Sequence, residues 1–310
     1  MKGRPQWLGV DLGGTNLRCG VVSGLEVRRE SRWRLDLARE LPGLKPVAAR
    51  RHVLAALEAA LREVLREAPE VRGVGIGVPG YVDGASGRLI AAPNLPGISN
   101  LDLAAPLTHA LGLPVMVEND ALCAAWGEYR RLARPPAHFA FLGLGTGIGG
   151  GLIVNGQPYR GAGGLAMEVG HVTWRPGGRL CGCGRRGCVE RYASASGLSL
   201  NYRALTGLPL EASDIAARAR AGESAARQAI ARSMRALARL LAHLAHITDV
   251  RHYAIGGGLS AAWPLLLPPL RAALDAELIP VLRGRLRLTR ASGGDQSGII
   301  GAALLAGAGA

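Results

Sequence analysis

The stretch GHVTWRPGGRLCGCGRRGCVE, residues 170–190, gathers His171, Cys181, Cys183 and Cys188 in a chain of 310 residues that holds five cysteines and seven histidines in all. Thiolate and imidazole are zinc donors, four such ligands close a tetrahedral structural site, and the interspersed glycines let a short loop wrap an ion. Three cysteines this close together do not resemble the distributed pairs of a secreted disulfide framework. The expectation is a structural Zn²⁺ on these four residues, contributing on the order of 10 kcal/mol of apparent binding free energy to the local fold. With four protein ligands the ion has no open position for a reacting water. Glu168 and Glu190 bracket the cluster, and carboxylates held in fixed directions suit a wall that accepts hydrogen bonds from a polyhydroxyl ligand. Cys19 and Cys123 lack such a pattern and are expected in the core.

Three further segments carry glycine turns: WLGVDLGGTNLRCGVVSG at 7–24, FAFLGLGTGIGGGLIVNG at 139–156 and YAIGGGLS at 253–260. Glycine lets backbone N–H groups approach an anion closely. In the first turn Asp11 suits a Mg²⁺ ion held through water, with Gly13, Gly14, Thr15 and Asn16 offered to terminal phosphates. Gly145, Thr146 and Gly147 would hold the phosphates from the other side, and Gly256, Gly257 and Gly258 would lie against the nucleoside. A plain hairpin is the alternative for any one turn; the three together argue for a nucleotide site. Gly145, Gly147 and Gly150 match GxGxxG, but a dinucleotide fingerprint opens a helix, whereas GLIVNG is β-patterned. The phosphate-loop lysine motif and the protein-kinase motif set are both missing from the sequence.

These groups need a scaffold, and the length allows two domains of ordinary size. Apolar strands are expected at 73–80 and 113–120, the latter ending in VEND and running into the helical ALCAAWGEYRRLA. Residues 47–68 place Val53, Leu57, Leu61, Val64, Leu65 and Ala68 at helical spacing. A second stripe runs through Ile230, Met234, Leu237, Leu240, Leu241, Leu244 and Ile247. The hairpin at 139–156 repeats the opening one, which suggests two related halves facing each other across a cleft.

The net charge of +14 includes only two lysines, Lys2 and Lys45. The arginines are spread along helices rather than clustered, which argues against a nucleic-acid partner. No signal peptide or membrane span is legible, so a cytoplasmic location is expected. His243 and His246 lie three apart on a helix without further ligands nearby, which is an ordinary structural arrangement.

The motifs DLGGTN, VPG…PNLPG, VENDA, GLGTGIGGG, EVGH…CGCGRRGCVE and IGGG, in this order, resemble the ROK family of bacterial sugar kinases, especially its zinc-containing glucokinases. The resemblance implies an α/β, two-domain actin-like ATPase (ribonuclease H-like) fold with an interdomain cleft. A small domain of residues 1–120 plus 297–310 would carry the first phosphate hairpin. Residues 121–296 would form the large domain, with the second hairpin, zinc loop and nucleoside turn.

The implied activity is ATP-dependent transfer of a phosphoryl group to the 6-hydroxyl of glucose. Asp120 would be the base, and Asn94, Asn119, Glu168, His171 and Glu190 would complete the sugar site, with His171 serving both zinc and sugar. Asp120 also has the alternative role of a helix N-cap. Leu122 and Met167 depart from the resembling pattern, where Asn and Gly are frequent. They keep mannose, fructose, N-acetylglucosamine or N-acetylmannosamine open as the sugar, and a non-catalytic sugar sensor with the same fold is a separate alternative. The resemblance further implies a homo-oligomer, dimer or tetramer. With the first hairpin beginning by Trp7, no DNA-binding helix-turn-helix is expected ahead of it.

Overall fold

The structure is a computed structural model that describes residues 4–13, 15–84, 86–92, 95 and 97–308. Gly14 and Asn94 lie outside the described residues.

The chain opens with the meander β1 (Gln6–Leu12), β2 (Asn16–Ser23) and β3 (Glu26–Arg34). β3 forms the outer edge, and its run of charged residues resists pairing with another chain. A short α1 (Leu37–Glu40) precedes α2 (Pro46–Glu67), where Pro46 suits the first helical turn and Val53, Leu57, Leu61 and Val64 are buried. β4 (Val71–Val78) follows, then a small antiparallel sheet of β5 (Tyr81–Asp83), β6 (Arg88–Ala91) and β7 (Ser99–Asp102). α3 (Ala104–Leu111), β8 (Val115–Asn119) and α4 (Asp120–Arg131) complete this half.

The first large sheet has the order β3-β2-β1-β4-β8. β1, β4 and β8 are parallel, with Asp11 opposite Gly77 and Val78 opposite Asn119. Their carboxyl ends therefore bring Asp11 and Asp120 to one edge, the edge at which open α/β sheets bind ligands.

The second half contains β9 (Phe139–Leu144), β10 (Ile148–Val154) and β11 (Gln157–Pro158). After the cysteine loop come α5 (Glu190–Ala193), α6 (Ala195–Thr206), α7 (Ala212–Arg220) and α8 (Ser224–Thr248). β12 (His252–Gly256), α9 (Trp263–Glu277), β13 (Arg287–Arg290) and α10 (Gln296–Ala308) end the fold. The sheet order is β11-β10-β9-β12-β13, with β9 and β12 parallel and Gly143 opposite Gly256. The turns after β9 and β12 thus share an edge. They touch so closely that a Cβ on Gly257, where φ is +77°, would lie 2.6 Å from the Leu144 carbonyl.

Ile230, Met234, Leu237, Leu240 and Leu241 of α8 are buried as their spacing predicts, with Leu244 packed at the core margin. Ile247 departs from that expectation: it is 81% exposed, because the helix runs past the core by its last turn. Cys19 and Cys123 are core residues. α10, built of small residues, packs against α4, β1 and β4. Gly127 of α4 lies on the Ser297 carbonyl and Gly301 of α10 on the Cys123 carbonyl, leaving no room for a Cβ at either position. No described helix is long and apolar enough to cross a membrane.

Candidate active site

A cavity of about 690 Å³ lies between the carboxyl edges of the two sheets, within the range of small-ligand sites. Asp11, Asn119 and Asp120 line it from the first half. Gly145, Thr146, Gly147 and Gly257 line it from the second, with Glu168, His171, Cys183 and Glu190 at one end. Residues expected at a single site, from segments far apart in sequence, thus meet in one cavity.

Asp120 begins α4 where β8 ends. Of its two expected roles the structure assigns the cap to its neighbour: Asn119 Oδ1 accepts from Leu122 N–H at 3.0 Å, and Asn119 Nδ2 donates to the Gly80 carbonyl at 3.0 Å. Both ends of the Asn119 amide are therefore engaged by the protein, and Asp120, relieved of capping, presents its carboxyl to the cavity. Its Oδ1 accepts from Ala121 N–H at 2.7 Å. Burial, reinforced by the Asp11 charge, pushes the Asp120 carboxyl up to about 7. A carboxyl poised there suits proton abstraction at neutral pH.

Asp11 is not free. Arg18 lies directly opposite it in the β1–β2 register and donates to Asp11 at 2.5 Å and to Asp295 at 2.8 Å. A cation at Asp11 therefore competes with a guanidinium already in place. Thr15 and Asn16 are exposed at the hairpin tip and, like Gly13, are outside the cavity wall. The tip is folded back: Gly13 N–H donates to the Asn16 carbonyl, and the Thr15 carbonyl accepts from Leu35 N–H and Asp36 N–H. Gly256 is buried against the Phe141 ring and Gly258 lies beyond the wall, so only Gly257 of that turn faces the cavity.

The second turn is tight, with Gly145 N–H donating to the Gly147 carbonyl at 3.0 Å. Glu190 Oε2 accepts from Ile148 N–H at 3.0 Å, and a Cβ on Gly147 would collide with that carboxylate. Glycine is required here by close approach. On the other side of Glu190, the Cys181 thiol donates to Oε1 at 3.5 Å.

His171, Cys181, Cys183 and Cys188 converge, with one donor atom from each within 4.8 Å of all the others. Cys183 Sγ is 3.7 Å from Cys188 Sγ, and Cys181 Sγ is 3.7 Å from His171 Nδ1. Tetrahedral ligands at about 2.3 Å from zinc stand about 3.8 Å apart, so the donor set fits such an ion. His171 Nδ1 faces the thiols, while Nε2 is turned to Glu168 at 3.8 Å. Burial raises the Glu168 pKa, an effect that the nearby His171 opposes and Glu190 reinforces.

Residues without a motif also line the cavity: Arg18, Tyr81, Arg191 and Asp295. The Arg18 pairing had a legible signal, since Asp11 and Arg18 flank the glycine turn symmetrically. Tyr81 reaches the cavity from β5, and its phenol is held above its ordinary pKa by burial and by the facing Glu168. No local pattern marks it. Met167 adopts φ +69°, a conformation glycine takes without strain, with its ε-methyl beside Gly150.

Residues 7–308 match the ROK family. The chain is 36% identical over 304 residues to an N-acetylmannosamine kinase of Salmonella arizonae, covering 96% of this chain and 97% of that one. A ROK family glucokinase from Streptomyces griseus, solved with glucose and AMPPNP, has a TM-score of 0.80 at 33% identity over 97% of this chain and 98% of its own. A ROK hexokinase from Thermus thermophilus has a TM-score of 0.78 at 30% identity, covering 96% and 97% of the two chains. The fold is that of the actin-like ATPase sugar kinases. With a carboxylate, glycine turns and an acidic wall meeting in one cleft of that fold, the chain belongs to the ROK family, as one of its sugar kinases.

Proposed function

We propose that the protein transfers the γ-phosphoryl group of ATP to the 6-hydroxyl of a hexose, with glucose as the acceptor. The observation that carries this reading is Asp120, its carboxyl pushed up to about 7, facing the second glycine turn across a cavity that ends in Glu168, His171 and Glu190. Vicinal hydroxyls are donors, and a wall of carboxylates supplies acceptors for them.

Phosphoryl transfer needs positioning and charge neutralisation more than covalent chemistry. Ionised Asp120 accepts the proton of the attacking hydroxyl. The N–H groups of Thr146 and Gly147, between the engaged Gly145 and Ile148, hold phosphate oxygens, and Asn119, locked by its two hydrogen bonds, keeps Asp120 in register. When bound, Mg²⁺ would supply neutralisation of the phosphate charge, and Asp11 would hold it only in competition with Arg18. Zn²⁺ on His171, Cys181, Cys183 and Cys188 would act by fixing the loop between Glu168 and Glu190, leaving His171 Nε2 to the sugar side.

N-acetylmannosamine is the second reading, favoured by the 36% identity to kinases of that sugar. ADP release from Mg-ATP separates the two: kcat/KM highest with glucose supports the first reading, and highest with N-acetylmannosamine replaces it. Absence of turnover with glucose, mannose, fructose, N-acetylglucosamine and N-acetylmannosamine, in zinc-replete protein, would overturn the kinase reading in favour of a sugar sensor.

A further inference from the structure

A nucleoside triphosphate carries several negative charges, yet the cavity is walled by Asp11, Asp120, Glu168, Glu190 and Asp295. Positive charge must come from side chains as well as from a metal ion. Among the described residues the wall contains no lysine, and the side chains in it that can carry positive charge are Arg18, His171 and Arg191. Arg18 is bound by two carboxylates, Asp11 and Asp295. His171 belongs to the cysteine cluster. Arg191 has no ion pair among the described residues, and its Nε is buried with no hydrogen-bond partner. The residue lines the cavity and its Nε finds no acceptor in the protein, so no carboxylate already in place holds this guanidinium.

Local structure fixes where Arg191 stands. It is the second residue of α5, and both sides of that short helix are tied to the second glycine turn. Ahead of it, Glu190 accepts from Ile148 N–H. Behind it, Ala195 N–H donates to the Gly145 carbonyl at 2.9 Å and Ser196 Oγ donates to the Thr146 carbonyl at 2.7 Å. The Arg191 backbone is held too, its carbonyl accepting from Arg179 Nη1 at 2.8 Å.

Arg191 has a cationic neighbour. Arg179 stacks on the Tyr192 ring at 4.6 Å and donates to backbone carbonyls rather than to carboxylates. A guanidinium that lines a cleft and is not held by a carboxylate binds phosphate oxygens with directed hydrogen bonds.

We propose that Arg191 is a phosphate-binding residue of this kinase, receiving the anionic phosphates of the nucleotide where they lie against the Gly145–Gly147 turn. The assignment rests on the nucleotide placement given under the proposed function, and it adds a side-chain cation that no motif in the sequence marks.

The test uses the full-length, zinc-replete protein with ADP and adenosine as probes in calorimetric titrations, plus steady-state kinetics. Arg191→Gln should weaken ADP at least tenfold and raise the KM for ATP. Adenosine affinity and the sugar KM should stay within twofold of wild type. Arg191→Lys should recover part of the ADP affinity, because it restores charge without the planar fork. ADP affinity unchanged in Arg191→Gln would overturn the proposal. So would an equal loss for ADP and adenosine, which would mark a structural role, or a loss confined to the sugar. Wild-type protein that binds neither probe would overturn the nucleotide reading and this assignment with it.

Discussion

Glu190 Oε2 accepts the backbone N–H of Ile148 at 3.0 Å, joining the acidic wall at one end of the cleft to the second glycine turn beside it. One carboxylate therefore serves two parts of the site, and its replacement should disturb both. Glu190→Gln keeps an oxygen for Ile148, whereas Glu190→Ala leaves that N–H unpaired, at a cost of about 1–3 kcal/mol. Initial-rate kinetics should show raised KM for both sugar and ATP in the alanine variant, with the ATP effect smaller in the glutamine one. Equal ATP kinetics in the two variants would show the hydrogen bond to be idle.

Gly147→Ala tests the same contact from the other side, since the new methyl occupies the space of the Glu190 carboxylate. Turnover should fall by more than tenfold while the amide exchange pattern of the first sheet stays unchanged. Wild-type rates in this variant would mean that the turn opens freely.

Asp120 makes a pH prediction of definite sign. As a base it works ionised, so kcat/KM should rise with pH through about 7 and level off above. Asp120→Asn should lower kcat roughly 100- to 10,000-fold while leaving sugar binding largely intact. Stability moves the opposite way. In the unfolded chain the group titrates near 3.9, so between about pH 4 and pH 7 the folded state binds more protons than the unfolded one. Stability from this group is full below that window and is lost as pH rises through it. Asp120→Asn escapes the loss, and its melting temperature should gain on wild type between pH 5 and pH 8; a constant difference across that range would contradict the raised pKa.

Glu118 is buried and bound by Arg160 Nε at 2.6 Å, while its Oε1 accepts from Asn119 N–H at 2.9 Å. The pair ties the strand leading to Asp120 to the segment leading to Glu168. Arg160→Ala strands a buried carboxylate, which costs about 3–5 kcal/mol. Urea unfolding of Arg160→Ala and of Arg160→Ala with Glu118→Gln should show the second change restoring much of the first loss.

The metal prediction concerns affinity. Removing zinc, or Cys183→Ser with its metal content measured, should collapse sugar binding before it affects the N-terminal hairpin, whose contacts lie in the other half of the fold. Unchanged glucose titrations in verified metal-free protein would contradict the role given to the loop.

The sequence by itself determined what is local. His171 and the three cysteines lie within one loop, so glycine spacing alone was enough to announce their convergence. The strands and glycine turns were legible because period-two apolar runs ending in glycine have few other readings. The long helices declared themselves by spacing, although Ile247 shows that a stripe does not say where the core ends.

Tertiary structure decided what each polar group is free to do. That Asn119, rather than Asp120, caps α4 depends on both the helix geometry and the Gly80 carbonyl arriving from the turn after β4. Thr15 and Asn16 belong to the right motif, yet their tip folds toward Leu35 and Asp36. Glu190 meets Ile148, and Arg160 meets Glu118, each across 42 residues of chain. Such contacts follow from how α5 and the loop after β11 pack against the strand ends. Hydrogen bonds and charge pairs act over a few ångströms, and only the packed fold brings residues so far apart in sequence within that reach.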